Sequence, residues 1–132
     1  MKIKDIKVEI NSARLRYTLN APEGPVGREM KKRAEVAREF ARSKVGKRTG
    51  QLAMSIYIEH SPALGGQKIR IGSNLPYAYY HHEGTKPHLI HARDGGILRF
   101  SSRGRVVYSR VVMHPGTKPN RYLADAIPLI VL

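Results

Sequence analysis

No cysteine occurs among the 132 residues of the chain. Its absence removes disulfide staples, thiolate nucleophiles and Cys-ligated zinc together, and it suits a protein assembled in a reducing compartment. Carboxylates are scarce too, ten against 24 Lys and Arg. Asp5, Glu9, Glu23, Asp94 and Asp125 show no pairing pattern, which argues against hydrolysis by a carboxylate pair. No Gly-x-Ser-x-Gly elbow and no His-Glu-x-x-His spacing is present. Neither Gly65-Gly66 nor Gly95-Gly96 leads into the Gly-Lys-Ser/Thr of a phosphate loop. No run of 18 apolar residues exists, so no membrane span is expected. Met1-Lys2-Ile3-Lys4-Asp5 has no apolar stretch behind it, and no secretory signal is expected there. The chain reads as a non-enzyme with no cofactor.

What the sequence does have is positive charge, +14 in all. Residues 28–48 carry nine Lys/Arg against three Glu, and residues 86–121 carry eight against Asp94. These two stretches hold nearly all of the excess. Such a field draws in a polyanion, either nucleic acid or an acidic protein surface, and salt should weaken the attraction. A solvated, merely solubilising face is the plainer reading of any one charge run.

Length is consistent with a single domain over 1–132. Ile6, Val8 and Ile10 alternate with Lys7 and Glu9, and Ala13, Leu15, Tyr17 and Leu19 alternate with Arg14 and Arg16. Period two on both sides of Asn11-Ser12 predicts an N-terminal hairpin over 3–19. Val26, Met30, Ala34, Ala37, Phe40, Ala41 and Val45 recur at steps of three and four, which predicts a long amphipathic helix over 25–45 opened by Pro25. Residues 52–113 read as β-rich. Met54–Glu59 and Lys68–Gly72 are expected to pair across a turn at 62–66, and Ile97–Phe100 and Val106–Tyr108 across Ser101–Gly104, with Val111–Met113 following. A short helical turn capped by Thr49 is expected ahead of the first strand, and one or two turns over 76–83. Residues 120–127 read as a C-terminal helix that Pro128 interrupts. The class is α+β, one long helix packed on a mainly antiparallel sheet.

One phrase appears twice. Gly84-Thr85-Lys86-Pro87-His88 recurs 32 residues later as Gly116-Thr117-Lys118-Pro119-Asn120. Each is a chain-bending unit, because Gly permits positive φ while Pro fixes its own φ and extends the residue before it.

The order of these pieces resembles the HK97 gp10-like family of tailed-phage proteins. Thr49-Gly50-Gln51-Leu52-Ala53-Met54-Ser55-Ile56 is similar to that family's Thr-Gly-x-Leu-x-x-Ser-Ile segment. Ile71-Gly72, Tyr77-Ala78 and Glu83-Gly84-Thr85 resemble its central signature. His114-Pro115-Gly116-Thr117-Lys118-Pro119 with Tyr122-Leu123 and Ala126 resembles its closing segment. The match spans about residues 25–127. It implies a structural protein of the virion neck, a homo-oligomeric ring where head meets tail, working as connector or tail-completion protein. Its expected partners are phage connector, tail terminator or tail-tube proteins, with double-stranded DNA passing close by and no membrane. Assembly would take place in the host cytoplasm.

A ring subunit needs contact surfaces, and aromatic side chains are the usual anchors. The contact candidates are Tyr77, Tyr80, Gly84, Thr85, Pro87, Gly116, Thr117, Pro119, Tyr122 and Leu123, with Tyr79 and Tyr108 of the same chemistry. One bend is expected at a subunit contact, in which case Gly116→Val would abolish assembly and leave expression intact. Arg93, Arg99, Arg103, Arg105 and Arg110 are spaced to place several on one strand face or an inter-strand loop, facing either a DNA channel or an acidic ring. His81, His82, Glu83, His88, His91 and His114 raise two alternatives, turn histidines or a metal site. A small basic nucleic-acid-binding protein using the 28–48 helix face is the alternative function. A metal-dependent nuclease built on His81, Glu83 and His88 is a third.

Overall fold

The computed structural model describes residues 8–46 and 48–130. The chain forms two compact units, Met1–Asn74 with Tyr122–Leu132, and Leu75–Arg121. The cause is where the buried side chains fall. Ala34, Ala37, Ala41, Val45, Leu52, Ile56, Tyr122 and Ala126 make the core of the first unit, whereas only Ala78 is buried among the described residues of the second.

The first unit opens with helix α1 (Ser12–Asn20), where a strand was expected. Asn11 is extended and its Oδ1 accepts the Arg14 N–H at 2.9 Å, so Asn11-Ser12 starts a helix and does not turn a hairpin. The Leu15–Leu19 pair fits i,i+4 as well as it fits alternation, and nine residues with no β-branched residue but Thr18 favour the helix. The other half of that hairpin lies mostly outside the described residues; 8–10 carry no regular structure.

Helix α2 (Pro25–Lys44) is the element expected, with Pro25 in its first turn. Its inner stripe is made of small residues: Gly27, Ala34, Ala37 and Ala41 are buried, while Val26, Met30 and Phe40 are half-buried. Small side chains let partners come close. A Cβ on Gly27 would sit 2.3 Å from the Pro22 carbonyl oxygen.

Helix α3 (Gln51–Ser55) follows, so Met54 and Ser55 end a helix and do not begin a strand. Its terminal carbonyls are met by Arg42 of α2, whose Nε donates to Ala53 O and Nη2 to Ile56 O, each at 3.1 Å. Strands β1 (Tyr57–Ala63) and β2 (Gly66–Gly72) then pair antiparallel, from Tyr57↔Gly72 to Ala63↔Gly66, across the two-residue turn Leu64-Gly65. Helix α2 packs on α1, on this ribbon and on a C-terminal 3-10 helix. That last element covers Ala124–Leu129, not 120–127, and it contains Pro128. Its bonds span three residues, as in Ala126 N to Leu123 O, and the tighter helix accommodates the proline's missing donor.

The second unit holds helix α4 (Ala78–Glu83) and strands β3 (His88–His91), β4 (Leu98–Ser102), β5 (Arg105–Ser109) and β6 (Val111–His114). Strand β3 was not expected from the sequence. The α+β class stands, yet among the described residues the strands form three separate two-stranded antiparallel ribbons, β1–β2, β3–β6 and β4–β5, in place of one sheet.

Candidate functional site

The repeated phrase folds onto itself. Thr85 N–H donates to Thr117 O at 3.0 Å and Thr117 N–H donates back to Thr85 O at 3.1 Å, with the two hydroxyls 3.1 Å apart. This antiparallel bridge lies three residues beyond the His88↔His114 pair that ends the β3–β6 ladder, in the same register. The clasp has an approximate two-fold symmetry. A Cβ on Gly84 would meet Thr117 O at 2.5 Å and Pro119 N at 2.8 Å. A Cβ on Gly116 would meet Thr85 O at 2.2 Å and Lys86 C at 2.9 Å. Both glycines have positive φ, +74° and +83°. Each copy of the phrase is therefore the packing partner of the other, and glycine is demanded twice at each position, by φ and by space. The expected behaviour of Gly116→Val changes accordingly, since the substitution breaks the unit itself before any subunit contact is reached.

Around the clasp lie two open grooves. One of about 550 Å³ is lined by Tyr79, Tyr80, Glu83, Thr85, Lys86 and His88. The other, about 470 Å³, is bounded by Tyr77, His81, His114, Thr117 and Lys118. Tyr77, Tyr79 and Tyr80 are all exposed, and the last two stack edge to face with centroids 5.6 Å apart. Pro87 and Pro119 are exposed on the clasp. Tyr122, by contrast, is fully buried in the first unit and Leu123 beside it half-buried, so Tyr122 offers the folded chain's surface nothing. Burial also pushes the Tyr122 phenol up.

His81, His82, His88 and His114 meet neighbouring groups. His82 Nδ1 lies 2.6 Å from Glu83 Oε1, and Glu83 Oε2 is 3.6 Å from Arg121. His88 Nδ1 faces Lys86 O at 2.8 Å, and His114 Nδ1 accepts the Gly116 N–H at 3.1 Å. Asn120 N–H donates to His81 O at 3.2 Å, tying the second copy of the phrase to α4. Among the described residues no three His, Asp or Glu side chains converge on a point that could hold a metal. The His81, Glu83, His88 set is not brought together as a ligand group.

The two basic stretches differ in kind. On α2, Arg33 meets Glu29, Arg38 meets Glu35, Arg42 meets Glu39 and Lys44 meets Asp125. The Arg33 guanidinium holds the Glu29 carboxyl below its usual range. In the second unit, Arg93, Arg99, Arg103, Arg105 and Arg110 are all exposed, and among the described residues none has a carboxylate in ion-pair reach. Residues 95–124 contain no Asp or Glu at all. Nor do these arginines share one face. Arg99 lies opposite Tyr108, while Arg105 lies opposite Ser102 on the side of Phe100 and Val107. Arg103 sits at the apex, in a two-residue turn with φ +50° followed by Gly104 at +77°. No family model, curated protein or solved structure matches the chain.

Proposed function

We propose that this chain is a non-catalytic structural subunit of a tailed-phage neck, building a homo-oligomeric ring that joins head to tail as connector or tail-completion protein. The carrying observation is the exposed apolar surface of the second unit. On one face of β3–β6, Leu89 pairs with Met113 beside Val111, and Met113 is 62% exposed. On α4, Tyr79 is 67% exposed between Tyr77 and Tyr80. Aromatic and aliphatic groups left in water at this density mark a surface that another protein covers. The order of the Thr-Gly, Tyr-Ala, Gly-Thr and closing Gly-Thr-x-Pro segments supports the phage assignment. The use of the two Gly-Thr segments in a structural clasp suits a scaffold better than a catalyst.

The mass of the purified protein, measured by light scattering with and without phage connector or tail particles, tests the reading. A discrete ring, or a monomer that joins the particles, is the expected result. A monomer that ignores them refutes it.

A further inference from the structure

We infer that the β4–β5 ribbon is a duplex-DNA contact element, reaching into a groove so that its arginines meet phosphates on both sides. The ribbon has the right shape. Two strands of five residues extend roughly 17 Å at about 3.4 Å per residue, and the major groove, about 12 Å wide, admits a two-stranded ribbon. Residues 101–106 are all exposed, so the tip is free of the protein's own packing.

Charge selects the partner. Arg99 on one face, Arg105 on the other and Arg103 at the apex surround the ribbon with cations. An acidic protein surface would meet one of these faces and leave the other arginine in water. A groove is walled by phosphate on both sides, and it satisfies all three. Ser101 and Ser102 add hydroxyl donors at the same end, and such contacts position a protein on the duplex without reading sequence. The α2 face is the weaker candidate, because Glu29, Glu35 and Glu39 already neutralise part of it.

This inference deepens the ring reading by naming what the second unit would present to DNA, but its test needs no ring, so either can fail alone. Full-length protein is titrated with a fluorescent 25-base-pair duplex of arbitrary sequence across a salt series. In the variant R99T/R103N/R105T, threonine keeps the strands and Asn-Gly keeps the turn. The slope of log K against log salt should become shallower by about 0.9 per lost phosphate contact, near 2.7 for three. A charge-matched α2 variant, R28Q/K31Q/K32Q, should change the slope by less than one such contact. R99K/R103K/R105K should keep the slope, since lysine serves phosphate as a point charge. The idea is overturned by an unchanged slope in the threonine/asparagine variant, by an equal loss in the α2 variant, or by loss in the lysine variant. Polyglutamate bound as tightly as duplex, with the same dependence on these arginines, would also overturn it and point to an acidic protein surface.

Discussion

Gly116→Ala is the sharpest perturbation of the clasp, with Gly65→Ala as its control. Both glycines have positive φ, +83° and +72°. An L-residue in that region costs on the order of 1–3 kcal/mol, and this part is common to both variants. They differ in space. Nothing lies within 4 Å of a Cβ at Gly65, whereas a Cβ at Gly116 would be 2.2 Å from Thr85 O. That oxygen accepts the Thr117 N–H, so relieving the overlap displaces one bond of the bridge and, with it, the reciprocal Thr85 N–H bond. At about 1 kcal/mol net for each, the two lost bonds alone should make Gly116→Ala less stable than Gly65→Ala by roughly 2 kcal/mol. Native-state hydrogen exchange at the Thr85 and Thr117 amides reads this locally. Opening of the clasp relieves the strain at Gly116 and not that at Gly65, so where exchange proceeds by that opening those amides should exchange at least about 30-fold faster in Gly116→Ala than in Gly65→Ala, taking 1.4 kcal/mol per tenfold. Equal protection in the two variants would refute the pairing of the repeats.

Arg42→Lys keeps the charge of α2 but cannot reach Ala53 O, Ile56 O and Glu39 at once. Because the side chain is partly exposed, the loss should be about 1–2 kcal/mol in urea unfolding; a change within error would mean that α3 is held otherwise. Tyr122→Phe bears on alkaline stability. Burial raises the phenol in the folded state, so the unfolded chain, titrating near 10, releases its proton first. The contribution is whole below that pH and is lost as pH rises through the raised folded value. The phenylalanine variant should therefore show its alkaline unfolding midpoint at higher pH than the parent, and an unchanged midpoint counts against the assignment.

Several elements of both units are written locally. The three-and-four spacing from Val26 to Val45 specifies α2, since period and length leave no other regular structure that buries those positions. Gly65 and Arg103-Gly104 mark two-residue turns because positive φ there is required by the twist of the strands they join. Alternation over Ala13–Leu19 misled because seven residues carry Leu15 and Leu19 at a helical spacing too, and the Asn11 cap decides between the two. The repeats were visible in the sequence as bends, but their meeting was not. Gly84-Thr85 and Gly116-Thr117 are 32 residues apart, and no local preference encodes which strand edge a bend will satisfy. Strand β3 escaped for the same cause, as His88–His91 has little β signal and becomes a strand only when β6 supplies its hydrogen bonds. The sequence by itself determined the helix, the turns, the excess charge and the glycine bends, all of which follow from spacing and backbone chemistry within a few residues. The tertiary structure alone decided that the repeats clasp each other, that Tyr122 is core, and that the arginines of β4–β5 surround a ribbon, because those depend on which distant backbone groups find partners.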